Sequence, residues 1–251
     1  MKRVLAAVAA AALVAAPAHA QSKLDQAIAK AEEQLLKGKP DDAVKTITKA
    51  AAEAGAEGQL ALARFHERTG DLEAAAKAYE QAKGQATGAA RADALAAAAH
   101  FTLRKGKAAD ALALAKQAVE AGATPAALAA MSRAQARMED APGALATADK
   151  AVAAGSGSAI AHVARAEALI AMGKAADAEA AARQAIQIDP KSALAYSRLA
   201  RTQLMLARPA DAVASAKKAT ELDDKLGEGF AALGLAIVAE NAKNWSDAIA
   251  Q

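Results

Sequence analysis

The sequence predicts an all-α chain of stacked helix-turn-helix units, and three observations carry that prediction. About a third of the 251 residues are Ala while only 2% are aromatic, so the 54% hydrophobic fraction supplies little area per side chain. A core of that kind must come from many close helix contacts rather than from a few large anchors. Ala also recurs in the frame A-x6-A at Ala43/Ala50, Ala75/Ala82, Ala111/Ala118, Ala144/Ala151, Ala178/Ala185 and Ala212/Ala219, with first members 32 to 36 residues apart. Finally, a breaker precedes each pair: Gly38, Gly70, Gly106 and Gly173, or the polar stretches at Asp140-Ala141-Pro142 and Arg208-Pro209. Each unit therefore reads as helix, tight turn, helix.

The first element is a targeting segment. Lys2 and Arg3 precede an apolar run from Val4 to Ala16, and Ala18-His19-Ala20 follows Pro17. A basic start, a short apolar stretch and an A-x-A site make a secretory signal peptide, with the cut expected between Ala20 and Gln21. The run is too short to span a bilayer comfortably. Cleavage of residues 1–20 removes two positive charges, so the net charge of +3 becomes +1. The mature chain is expected in the periplasm or outside the cell, and no Cys is present for lipid attachment, disulfides, thiolate metal sites or a cysteine nucleophile.

Repeats fill the remainder. Units are expected to begin near Leu24, Ala56, Ala92, Pro125, Ala159, Ala193 and Gly227 in a single repeat domain over 21–251. Twelve residues upstream of each first Ala stand Ala31, Ala63, Ala99, Ser132, Ala166 and Ala200, and Gly234 takes the corresponding place in the last unit. Small residues at that column let the two helices of a hairpin cross closely. The seventh unit is expected to be incomplete, with a second helix starting near Trp245 and Phe230, Leu233, Ile237 and Val238 under-covered, which leaves room for self-association through this end. One long coiled coil is excluded because Gly and Pro interrupt the helical stretches too often.

Period and columns resemble the tetratricopeptide repeat, whose pattern is W-x2-L-G-x2-Y, A-x3-F and a closing P over 34 residues. The matching residues are Phe230-x2-Leu233-Gly234-x2-Ile237, Ala75-x3-Tyr79-x2-Ala82 and Asp189-Pro190. The resemblance covers essentially the whole mature chain, with Ala where the family has bulkier residues. It implies a right-handed superhelix of about six and a half repeats, whose first helices line a concave binding wall.

Chemistry is sparse along this frame. His66-Glu67 begins an H-E-x-x-H pattern, but Gly70 stands where the second His belongs. His66, His100 and His162 fall in different units, against a shared metal site. Gly155-Ser156-Gly157-Ser158 lacks the Lys-Ser or Lys-Thr of a phosphate loop. No nucleophile is paired with a base, so the chain is expected to be non-catalytic and to need no cofactor and no metal.

The basic residues divide unevenly between the helices. Lys gathers on second helices and turns, whereas Arg gathers on first helices. Eleven residues upstream of the Ala landmark stand Glu32, Arg64, His100, Arg133, Glu167 and Arg201, and seven upstream stand Leu36, Arg68, Arg104, Arg137, Ala171 and Met205. The columns are one helical turn apart and share a face. Arg64, Arg68, His100, Arg104, Arg133, Arg137 and Arg201 are therefore the candidate groove residues, forming a stripe bounded by Glu32 and Glu167. The competing expectation is an ordinary surface neutralised by Glu67, Asp93 and Glu139. The planar guanidinium fork suits carboxylate or phosphate. Nucleic acid is disfavoured by a mature charge of +1 and the scarcity of aromatics.

Together with the resemblance, these features imply a protein-binding scaffold of the bacterial cell envelope that holds a protein or peptide segment, acidic in character, in its groove. The alternative expectation is the recruitment arm of a larger envelope protein, such as an exporter, a secretion or pilus component, or a protease.

Overall fold

The computed structural model describes residues 23–250, with side chains through Ala242. The proposed signal segment lies outside the described residues. Every regular element among the described residues is an α-helix: α1 (Lys23–Leu36), α2 (Pro40–Glu53), α3 (Gly55–Thr69), α4 (Leu72–Gln85), α5 (Gly88–Arg104), α6 (Ala108–Ala121), α7 (Pro125–Arg137), α8 (Ala141–Ala154), α9 (Ala159–Ala171), α10 (Ala175–Ile188), α11 (Ala193–Met205), α12 (Pro209–Leu222) and α13 (Gly227–Ala250). The chain forms two compact units, one ending at Ala86 and one beginning at Thr87, where the sequence leads one to expect a single repeat domain. The segment between them is the one with extra length, since the Ala75 to Ala111 interval is 36 residues.

In the first unit α1 pairs with α2 and α3 with α4, and α2 packs on α3. In the second unit the hairpins are α5/α6, α7/α8, α9/α10 and α11/α12. Their first helices also pack on one another in succession, α5 on α7, α7 on α9, α9 on α11 and α11 on α13. Each second helix packs on the first helices before and after it. The first helices thus make the inner layer of this unit.

The Ala columns are where these layers touch. Ala43, Ala75, Ala111, Ala144, Ala178 and Ala212 are all fully buried, and so is the upstream column of Ala31, Ala63, Ala99, Ser132, Ala166 and Ala200. Ser132 fits there because its hydroxyl donates to the Ala144 carbonyl oxygen at 2.8 Å, which leaves no buried hydroxyl unsatisfied. Gly234 departs from the column: it is exposed, with open space around it.

The turn between the two helices of a hairpin is the same six times over. Gly38, Gly70, Gly106, Glu139, Gly173 and Ala207 all have positive φ. Each donates its amide to the carbonyl three residues back, and the next amide reaches five residues back, as in Lys39 to Gln34 and Arg208 to Gln203. This closure satisfies the last helical carbonyls and needs a left-handed residue at its centre. Glycine takes that conformation freely, whereas an L side chain pays about 1–2 kcal/mol. Glu139 and Ala207, at φ 64° and 56°, carry that strain. Because glycine also loses more entropy on folding, Glu139→Gly and Ala207→Gly should each raise stability by a net of roughly 0.5–1 kcal/mol, read as an increase in urea midpoint.

The seventh unit differs from expectation. α13 continues unbroken from Gly227 to Ala250, so no turn precedes Trp245. The segment from Ala239 to Trp245 contains neither Gly nor Pro, and nothing in it stops a helix. Gly229, Ala232 and Ala236 form its buried side, with Leu226 buried just ahead of it, while Phe230, Leu235, Ile237 and Val238 are exposed. No helix among the described residues is long and apolar enough to cross a membrane.

Candidate functional site

The first-helix residues singled out by the two columns do not share one environment. In the first unit, Arg64 and Arg68 are exposed on α3. Arg68 donates to Glu32 of α1 at 2.7 Å, a solvent-facing pair that screening makes weak. Both arginines line a shallow depression with Ile28, Glu32, Ile47 and Phe65. Beside them His66 is buried with its ring edge-on to Phe65, and burial pushes its imidazole below its ordinary value, with Asp71 opposing.

The second unit holds a connected charge cluster across α5, α7, α9, α11 and α13. At its centre is Glu167, with its side chain 6% exposed. Glu167 accepts from Arg133 Nε at 2.9 Å and from Arg198 Nη2 at 3.0 Å on one oxygen, and from Arg137 Nε at 3.2 Å on the other. Arg133 also meets His100 Nδ1 at 2.9 Å. A second carboxylate, Glu228 in the first turn of α13, accepts from Arg198 Nη2 at 2.6 Å and from Arg137 Nη2. Burial alone would raise the Glu167 carboxyl, but Arg198, Arg133 and Arg137 outweigh it and hold the group far below the usual carboxylate range. The same contest, burial against Arg198 and Arg133, leaves Glu228 lowered. Arg198 is likewise opposed by burial yet raised by Glu167 and Glu228.

These contacts revise the expected groove. Glu167 does not bound a basic stripe; it sits at the centre and neutralises Arg133 and Arg137. Arg133 is buried, not a surface contact, because its column position turns into the packing between α7 and α9. Arg104 is exposed at the end of α5, and His100 is half-buried. Arg201 is open to solvent and makes no ion pair among the described residues. Partial desolvation and the like charge of Arg198 push its guanidinium below the ordinary value, with Glu167 and Glu228 acting the other way. Of the carboxylates expected to neutralise the stripe, Glu67 accepts from the Tyr79 hydroxyl at 2.8 Å and Asp93 from the Thr124 hydroxyl at 2.7 Å, while Glu139 occupies a turn.

Counting along the sequence passes over Arg198 and Glu228. Arg198 has a signal: fourteen residues upstream of each Ala landmark stand Ala29, Ala61, Ala97, Ala130, Ala164 and Arg198, so a single Arg replaces Ala in an otherwise uniform column. Glu228 has none, because its partners lie 30 and 91 residues away on helices that only tertiary packing brings together.

An all-helical repeat scaffold with a charged inner layer is the class that this fold and site define. Two family models described as tetratricopeptide repeat match residues 56–85 and 169–228. The stacked helical hairpins around these two stretches have the tetratricopeptide repeat fold. A thermophilic protein of this type from Thermus thermophilus superposes with a TM-score of 0.59 at 21% identity over 73% of this chain and 99% of its own. A tetratricopeptide repeat protein from Parabacteroides merdae gives 0.52 at 18% identity, covering 88% of both chains. A chain of the hetero-tetramer Cut9-Hcn1 of the APC/C gives 0.59 at 14% identity over 85% of this chain and 42% of its own. At these identities the likeness is one of fold. No curated protein matches the chain.

Proposed function

We propose that the protein is a non-catalytic scaffold of the bacterial cell envelope that binds an acidic partner segment on the first-helix layer. The observation that carries this reading is the charge imbalance of the second unit's cluster: among the described residues Arg133, Arg137, Arg198 and Arg201 face two carboxylates, Glu167 and Glu228, leaving two cations in excess. The excess lies on the partly exposed Arg137 and the exposed Arg201, where the carboxylate of a partner can reach it. The guanidinium fork is matched to carboxylates. The basic-apolar-A-x-A start of the sequence supports export, and a repeat fold with a neighbour inside a hetero-tetramer supports a role in assembly.

The test is binding of fluorescein-labelled, C-terminally amidated hexaglutamate to residues 21–251, followed by fluorescence anisotropy. Arg201→Glu should weaken binding by roughly tenfold, equivalent to about 1.4 kcal/mol, and raising salt should weaken it further. Hexalysine should not bind. Equal affinity for both peptides, or indifference to Arg201→Glu, would remove the acidic-partner reading.

A further inference from the structure

The two carboxylates of the cluster are held differently. Glu167 projects from the middle of α9 into three arginines and is sealed, with 6% of its side chain exposed. Glu228 lies on the solvent side, its side chain 27% exposed beside an Arg137 that is 39% exposed. It stands in the first turn of α13 between Gly227 and Gly229, directly after the turn that follows α12. Its backbone is anchored separately: the Ser197 hydroxyl donates to the Glu228 carbonyl oxygen at 3.2 Å, and Gly229 packs on Ala219 and Thr220. The side chain can therefore leave the arginines by rotation alone while the start of α13 stays in place. Arg198 is 1% exposed, yet its Nε has no hydrogen-bond partner, and Arg201 stands one turn further along the same face of α11 with no ion pair among the described residues. Donors thus outnumber acceptors at the place where Glu228 sits.

We infer that Arg137, Arg198 and Arg201 form a seat for the side-chain carboxylate of an acidic partner segment, and that Glu228 is the resident carboxylate that must leave before the partner enters. This rests on the acidic-partner reading above. No bond is made or broken: one carboxylate replaces another on the same guanidinium donors, and the displaced Glu228 is taken up by water. Affinity for the partner is then set by the fraction of time the clasp is open. A seat open about one-tenth of the time binds about tenfold more weakly than its intrinsic affinity.

The decisive measurement compares hexaglutamate binding by the wild-type chain, Glu228→Gln and Glu228→Asp. The glutamine keeps the shape but not the charge, and the aspartate keeps the charge on a side chain one methylene shorter. Glu228→Gln should bind the peptide about three- to tenfold more tightly, Glu228→Asp should fall between it and wild type, and Arg201→Glu added to Glu228→Gln should cancel the gain. Thermal melts of each variant confirm folding, and the aspartate variant carries the comparison if the glutamine variant unfolds. If the wild type binds in an Arg201-dependent manner and both Glu228 variants bind equally well or more weakly, Glu228 is only a clamp and the inference falls while the acidic-partner reading stands. If no variant binds hexaglutamate, that reading falls and takes the seat with it.

Discussion

Glu167→Gln should cost the protein about 3–5 kcal/mol of stability, the effect of removing one partner from a buried ion pair. The magnitude follows from what is left behind. Arg133 and Arg198, 5% and 1% exposed, would keep their charges while losing the negative charge they share. Arg137 would retain Glu228, and Arg198 would be left with Glu228 alone. A urea titration measures the loss. The pH dependence supplies a second readout with a definite sign. The folded-state carboxyl of Glu167 is depressed, so its contribution is complete above the unfolded carboxylate value, about 4.3, and is lost progressively as pH falls below it. Glu228, also depressed, adds to the same acid limb. The Glu167→Gln variant should therefore start lower at pH 7 and decline less between about pH 4.5 and pH 2 than the wild type does. Parallel acid profiles for the two proteins would show that the arginines do not hold this carboxylate as the geometry indicates.

Gly58→Ala is the second large effect, and its sign reverses the ordinary expectation. In an exposed helix this change gains up to about 1 kcal/mol, because Ala is the better helix former. Here a Cβ on Gly58 of α3 would lie 2.5 Å from the carbonyl oxygen of Ala51 and 2.6 Å from its Cα. Those are backbone atoms of α2, which no side-chain rotation can move aside. The two helices must separate, and the expected loss is about 2–3 kcal/mol, the upper part of the range for overpacking. Gly84→Ala in α4 is the matched control: nothing lies within 4 Å of its Cβ position, and it should leave stability unchanged or raise it. Denaturation midpoints of the two variants moving in opposite directions would establish that Gly58 is there for the approach of α2.

How much of this was legible beforehand varies with sequence distance. Ala75 and Ala82 or Ala144 and Ala151 belong to one helix each, and their burial follows from local periodicity that every unit repeats. The turns were legible at Gly38, Gly70, Gly106 and Gly173, while Glu139 and Ala207 took the same left-handed conformation against their local preference, because hairpin packing fixes the turn whatever residue occupies it. α13 shows the opposite failure, since a break was expected at Trp245 from the repeat frame and the uninterrupted helix-forming sequence overrode it. In the site, the column that contains Arg64, Arg133 and Arg201 could be found by counting, but counting could not separate the exposed Arg64 and Arg201 from the buried Arg133.

By itself, the sequence determined the helix-turn-helix repeat and the places where its helices touch, because a small side chain repeated at a fixed spacing admits little else. Tertiary structure decided what the charges mean. Glu167 reads as the edge of a stripe only until α7, α9 and α11 are stacked. Arg133, Arg137 and Arg198 then converge on it from 30 to 34 residues away. Ionic interactions depend on distance in space and on how much water remains between the groups. Neither quantity is written in the spacing of residues along a chain.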